Sequence, residues 1–141
     1  MLVAEYLTED VRYGSNTSIM TGFATLAMVN LDCADPGAMA EFYHQVLGWD
    51  ITYQDENYGM VSDGATSIGF GKVADFQPPR WPDENSPKRY HLDFIVDDLD
   101  SAEARCVELG AGKPEFQPEP GRWRVLTDPS GQPFCVCVKS S

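Results

Sequence analysis

Residues 89–111 read RYHLDFIVDDLDSAEARCVELGA, and this stretch decides the fold because it predicts a strand that leads directly into a helix. Apolar and polar side chains alternate over its first half, as a strand with two different faces requires. The two faces carry Leu92, Phe94 and Val96, and His91, Asp93 and Ile95, respectively. Asp98 or Asp100 can cap the helix, and Gly110 ends it. We expect the first set to pack on the helix and the second to face away from it.

The same order of elements occurs earlier, in FATLAMVNLDCADPGAMAEFYHQVLGW at residues 23–49. Asp35 followed by Pro36 predicts the start of a helix that Gly48 ends. In both halves the helix is followed by shorter strand-like pieces that turn residues separate. This internal repeat predicts two βαβββ modules and an α+β fold.

The repeat also predicts the domain organisation. We expect one domain over residues 22–141, with module one at 22–74, module two at 90–138, and a crossover at 75–89 that is rich in proline and charge. Residues 1–21 show no clear period. They are interpreted as an N-terminal extension that packs on the surface or on a partner chain.

Composition narrows the class of protein. The chain has 141 residues and a net charge of −12, which opposes binding to nucleic acid or to an anionic membrane. Its apolar runs fall far short of the roughly 20 residues that a membrane span needs, so we expect a cytoplasmic protein. The acidic surface either favours cationic ligands or serves solubility alone. Four cysteines without CxxC spacing are expected to be buried thiols.

Three pieces of sequence carry a family resemblance: LDCADPGAMAEFYHQVLGW, HLDFIVDDLDSAEARCVELGA and WRVLTDPSGQPFCVC. In this order they resemble the glyoxalase/bleomycin-resistance/dioxygenase group, or vicinal oxygen chelate superfamily. WPDENSPKRYHLDF makes them most similar to its bacterial glyoxalase-like branch. The resemblance covers residues 22–138. It implies the glyoxalase/bleomycin resistance/dihydroxybiphenyl dioxygenase-like fold, with two modules forming a half-open barrel, a ligand in the concave space, and a homodimer.

The resemblance also indicates where a metal would lie. Metal-dependent members place ligands at the start of the first strand of each module and on the last strand. Superposing the two helix-capping aspartates pairs His91 with Met28, and the family's final glutamate position is occupied by Cys135. A thioether suits neither hard cations nor oxygen-rich sites, so we expect no metal and no other cofactor. A substitute set of His91, Cys135 and Asp93 or Asp32 is conceivable.

The candidate site residues follow from the expected concave face. His91 is the candidate catalytic residue, as an acid/base or a hydrogen-bond donor, although a purely structural histidine is an equal alternative. Aromatic rings suit stacking on aromatic or cationic ligands, and each ring can also simply cover the core. The candidate ligand-binding residues are Met28, Asn30, Phe70, Trp81, Asp93, Trp123 and Cys135.

Two functions from different classes fit these residues. The favoured one is metal-independent binding of a small apolar, aromatic or cationic molecule, as in antibiotic or natural-product sequestration. The alternative is a lyase or isomerase in which His91 acts with Asp93 as acid/base. A metal-dependent glyoxalase or dioxygenase is less favoured because its ligand positions are lost. Whether the protein is an enzyme stays open on sequence alone.

Overall fold

The computed structural model describes residue 22, residues 26–85 and residues 90–139. The elements are β1 (Val29–Cys33), α1 (Pro36–Leu47), β2 (Asp50–Gln54), β3 (Tyr58–Ser62), β4 (Ser67–Lys72), β5 (Leu92–Val96), α2 (Leu99–Glu108), β6 (Trp123–Thr127) and β7 (Pro133–Val138). The expected extension at residues 1–21 lies outside the described residues. Neither helix of the described part of the chain is long and apolar enough to cross a membrane.

The strands form two small sheets whose topology repeats. The first has the order β1-β4-β3-β2 and the second has the order β5-β7-β6. In each sheet the first strand runs parallel to the last one, β1 beside β4 and β5 beside β7, and the remaining pairs are antiparallel. The α+β class and the internal repeat are therefore confirmed. Over the described residues the two sheets do not close into a barrel, in keeping with the half-open form.

The second module differs from the prediction of βαβββ. Between α2 and β6 the chain makes only an isolated bridge, Gly112 to Thr127, so this module has three strands where the first has four. The intervening segment contains Pro114, Pro118 and Pro120. Proline lacks the N–H that a ladder needs, and this explains why the segment does not become a strand.

Both helices begin and end where the sequence predicts. The Asp35 carboxylate accepts a hydrogen bond from the Ala38 N–H at 3.1 Å, and Gly48 ends α1 with a φ of 69°. Of the two candidate caps for α2, Asp98 holds the position, and its carboxylate accepts from the Ser101 N–H at 3.2 Å. These ends fix the length of each helix and the direction in which the next segment leaves.

A shared aromatic core joins the two modules around Tyr43 of α1. Its ring stacks on Phe70 of the first sheet, with centroids 5.3 Å apart, and lies edge-on to Phe94 and Phe134 of the second. The Tyr43 hydroxyl donates to the Asp128 carboxylate at 2.7 Å, in the turn between β6 and β7. Helix α1 therefore holds both sheets through apolar packing and one buried polar contact.

Candidate functional site

The second sheet has one face on α2 and one face turned away from it. The register opposes Asp93 to Cys135, Val125 to Cys135 and Trp123 to Cys137. Trp123, Val125, Cys135 and Cys137 form a separate buried cluster apart from the main core. We call these four residues, with His91 and Asp93, the second-module face. This face brings together four of the predicted site residues, His91, Asp93, Trp123 and Cys135, as the strand alternation indicates.

His91 and Asp93 lie close together on this face. His91 Nε2 is 3.3 Å from Asp93 Oδ1, and the two side chains are only 10% and 14% exposed. The distance suits an ion pair with a protonated imidazole. The two atoms nevertheless lack hydrogen-bond geometry, and no other described residue supplies either with a partner. Cys135 Sγ joins them to form a group whose ligand atoms all lie within 4.8 Å of one another.

Trp123 adds a third buried polar atom to the same face. Its indole Nε1 has no hydrogen-bond partner among the described residues, although the side chain is almost fully buried. Within the described ranges, the buried side-chain nitrogen and oxygen atoms without partners are His91 Nε2, Asp93 Oδ1 and Trp123 Nε1. Folded proteins leave few such atoms, and their concentration on one face requires an explanation.

The crossover covers part of the second-module face. Trp81 packs against the cluster that contains Trp123, and its ring lies 5.9 Å from that of Phe116. The two rings line an open surface depression of about 570 Å³, with Pro82, Pro114 and Glu115 completing its wall. The predicted site residues Trp81 and Trp123 are therefore brought together, whereas Phe116 was not predicted from the sequence.

A second, smaller cavity lies at the junction of the two modules. It has a volume of about 180 Å³ and contacts His91 at the start of β5. Its walls are apolar on the β1 side. The lining residues are Val29, Leu31, Tyr90, His91, Leu92 and Gln132. His91 thus borders a space large enough for a small group.

The remaining predicted residues of the first sheet form a different arrangement. The Tyr58 hydroxyl lies 2.7 Å from Asn30 Oδ1 and 3.2 Å from Met28 Sδ. Gly69 allows this arrangement, because a Cβ there would overlap both the Tyr58 hydroxyl and the Asn30 carboxamide oxygen. Tyr58 is a contact of this surface that the predicted site set omitted. The sequence signal for it was strand alternation in β3, which puts Tyr58 and Gly59 on opposite faces of the sheet.

Phe70 does not lie on the concave side where it was expected. It is fully buried and stacks on Tyr43, on the α1 face of β4. The physical reason is its phase, because Ile68 and Phe70 share one face of the strand and Gly69 and Gly71 the other. Phe70 therefore stabilises the core and has no surface to offer to a ligand.

The family's two-module metal set does not fit this chain. Met28, at the first-module position, offers a thioether that contacts the Tyr58 hydroxyl. A thioether is a poor ligand for the hard cations that oxygen-rich sites hold. The residues present therefore do not fit a metal ion shared between the modules.

The comparisons with known proteins agree with this architecture. The family model described as "Glyoxalase-like domain" matches residues 28–137. The putative glyoxylase CFP32 of Mycobacterium bovis is 29% identical over 108 residues, which are 72% of this chain and 39% of the relative; the protein of the same name in Mycobacterium tuberculosis gives the same figures. The chain thus spans well under half the length of these curated relatives.

Two solved structures show the same fold. A glyoxalase/bleomycin resistance protein/dioxygenase family enzyme from Burkholderia phytofirmans PsJN is 25% identical with a TM-score of 0.60, covering 83% of this chain and 100% of that one. A bleomycin resistance determinant encoded on the transposon Tn5 is 21% identical with a TM-score of 0.53, covering 84% and 100%. Because the family model spans well over half of its residues, the chain belongs to the glyoxalase-like domain family, within the glyoxalase/bleomycin resistance/dioxygenase superfamily.

Proposed function

We propose that this protein binds a small organic molecule on the second-module face. The observation that carries the proposal is the presence of three buried polar atoms without partners there: His91 Nε2, Asp93 Oδ1 and Trp123 Nε1. Leaving a buried donor or acceptor unsatisfied costs about 1–3 kcal/mol. A ligand that supplies the missing partners recovers this free energy on binding.

The three atoms define the polar part of the ligand. The Trp123 N–H needs an acceptor such as a carbonyl oxygen, and the Asp93 carboxylate needs a donor or a positive charge. Trp81 and Phe116, which line the open depression beside this face, offer apolar surface. The net charge of −12 raises the local concentration of cations. The ligand class is therefore an amphiphilic molecule with one acceptor, one cationic or donor group, and an apolar body.

Sequestration of an antibiotic or natural product is the finer form of this proposal. It is supported by the fold shared with the bleomycin resistance determinant and by the aromatic pair Trp81 and Phe116 at the rim.

We also propose a cytoplasmic homodimer. Among the described strands, β1 and β5 each pair on one side only, and the exposed Tyr90 and Ile95 lie beside them. Open edges of this kind favour pairing with a second copy.

The test is a screen of amphiphilic cations by thermal shift and tryptophan fluorescence. The critical variant is Trp123→Phe, which keeps an aromatic ring and removes the N–H. We expect it to weaken binding about tenfold, the equivalent of roughly 1.4 kcal/mol for one lost hydrogen bond. Trp49→Phe is the matched control, because Trp49 packs on the main core. If Trp123→Phe binds the ligand as tightly as Trp49→Phe does, the proposal is wrong.

A second candidate function is acid/base catalysis of an isomerase or lyase reaction. The observation that favours it is the 3.3 Å separation of His91 Nε2 and Asp93 Oδ1, since catalytic contacts are often loose without substrate. In this case His91 moves the proton and Asp93 orients the imidazole. His91→Ala would then abolish turnover of a carbonyl compound that Trp123→Phe still converts. Binding without turnover in the wild-type protein would leave sequestration as the function.

A further inference from the structure

We infer that Trp81, Phe116 and Glu115 bind a quaternary ammonium group, and we call these three residues the ammonium subsite. The inference deepens the proposed function, on which it rests for the kind of ligand, by giving the positive charge a defined place. The two rings have their centroids 5.9 Å apart and are tilted by 45°. Both line the open depression of about 570 Å³, and Glu115 lines it with them. Rings that share one wall beside a carboxylate suit a cation whose charge is spread over methyl groups.

The fold holds both rings in position before a ligand binds. Trp81 packs against the buried cluster that contains Trp123. Gln117, which follows Phe116, is anchored to Val125 of β6 by its side-chain amide. Its Nε2 donates to the Val125 carbonyl oxygen at 2.8 Å, and its Oε1 accepts from the Val125 N–H at 2.9 Å. Because this pairing fixes the backbone beside Phe116, little conformational freedom is lost on binding.

The wall of the depression suits methyl groups better than N–H donors. Phe116 is 55% exposed, so much of its ring is open to a ligand. Pro82 and Pro114 add apolar surface. A primary ammonium carries three N–H donors, and among the described lining residues Glu115 is the one side-chain acceptor. A quaternary ammonium has no N–H to leave unsatisfied, so the wall favours it over a primary ammonium.

The charge around the depression also favours a cation. The two segments that supply its wall, residues 80–85 and 113–119, contain four acidic and two basic residues. One of the two basic residues, Lys113, is paired with Glu103 of α2 at 2.6 Å. The net charge of −12 adds a long-range attraction for positive ligands. The subsite therefore combines aromatic surface with a negative potential, and the rest of the ligand remains free to contact Asp93 and Trp123.

The experiment is a calorimetric titration of the full chain with choline and with 3,3-dimethylbutan-1-ol, an uncharged molecule of nearly the same shape. We expect choline to bind about fivefold more tightly, the equivalent of roughly 1 kcal/mol. Phe116→Leu keeps an apolar side chain and removes the ring, so it should abolish most of this preference. Tyr53→Leu is the matched control, because Tyr53 is also a half-exposed ring beside a carboxylate, that of Asp55. It should keep the full preference.

Glu115→Gln tests the contribution of the charge separately. It should weaken choline binding about threefold at low ionic strength, and less in high salt. Glu119→Gln is the matched control, because it removes the same charge from the same segment but outside the wall of the depression. A loss in Glu115→Gln that is no larger than the loss in Glu119→Gln contradicts the inference.

The titrations also distinguish the subsite from the proposed function. Absence of choline binding, equal affinity for choline and the alcohol, or an unchanged preference in Phe116→Leu each refute the subsite. If amphiphilic cations bind in a Trp123-dependent way while choline and the alcohol bind equally, the subsite alone is wrong. If choline binding depends on Phe116 but no ligand binds more weakly to Trp123→Phe, the proposed function alone is wrong.

Discussion

Replacing Tyr43 by phenylalanine tests whether one buried hydrogen bond holds the two modules together. The hydroxyl donates to Asp128 Oδ2 at 2.7 Å, and both residues are buried. The substitution removes a single oxygen atom, so the loss of packing is small. It leaves a buried carboxylate oxygen without its donor, and a hydrogen bond to a charged group contributes about 1.5–3 kcal/mol. We expect a loss of about 2 kcal/mol, or about 6 °C in Tm for a chain of this length.

The loss should depend on pH with a defined sign. Burial raises the pKa of Asp128 above its ordinary value, while the bond from Tyr43 opposes that rise by stabilising the carboxylate. As the pH falls from neutrality, the folded protein therefore takes up this proton before the unfolded chain does. The hydroxyl contributes most to the charged form. The effect of Tyr43→Phe should thus be full at neutral pH and shrink as the pH falls through the raised pKa that Asp128 has in the folded protein.

Urea unfolding of both proteins at several pH values measures this difference directly. Tyr53→Phe is the matched control, because the Tyr53 hydroxyl also donates to a carboxylate, that of Asp55, at 2.7 Å but on the surface. We expect no measurable change in that variant. If Tyr43→Phe unfolds at the same urea concentration as the wild type, or loses equal stability at every pH, the buried bond does not stabilise the module interface.

Three further substitutions, two of them with a matched control variant, test local features of the fold by urea unfolding. Gly59→Ala should cost about 1–3 kcal/mol, since a Cβ there would lie 2.8 Å from a backbone oxygen in the first turn of α1. Gly71→Ala meets nothing within 4 Å and should stay within about 0.5 kcal/mol of the wild type, so equal losses would refute the steric argument. Asp35→Ala removes the N-cap of α1 and should cost about 1 kcal/mol, whereas Asp35→Asn should keep most of it. Arg124→Gln removes the β6 guanidinium, whose Nη1 lies 2.9 Å from Glu103 Oε2 of α2. This change should cost up to about 1 kcal/mol, and less in high salt.

The parts of the fold that local rules govern could be predicted from the sequence. Side-chain alternation in β5 and the caps at Asp35 and Asp98 depend on neighbouring residues only, and the structure has them as expected. The missing strand of the second module shows where the reasoning failed. The repeat suggested a strand between α2 and β6, which the prolines of residues 114–120 prevent.

The site was less predictable because its contacts are distant in sequence. His91 and Asp93 share a face by their spacing of two, which alternation alone indicates. The approach of Cys135 depends on the parallel register of β5 and β7, which no local pattern encodes. Tyr43 and Asp128 are 85 positions apart, and no local pattern pairs them, so the burial of Asp128 against α1 was not predicted.

Two carboxylates in this protein, Asp128 and Asp93, show how a structural acid differs from one that is available to a ligand. Asp128 accepts hydrogen bonds from the Tyr43 hydroxyl, from the backbone N–H and hydroxyl of Ser130, and from the Gln132 N–H. Every one of these partners belongs to the protein, so the Asp128 carboxylate has a structural role. The Asp93 side chain is 14% exposed, but its Oδ1 is buried, has no such partner among the described residues and lies 3.3 Å from His91 Nε2, which also lacks one. Asp128 thus shows that this fold can supply a buried carboxylate with all its hydrogen-bond partners. The incomplete partners of Asp93 therefore point to a ligand from outside the chain, which is why the second-module face is the first place to look for one.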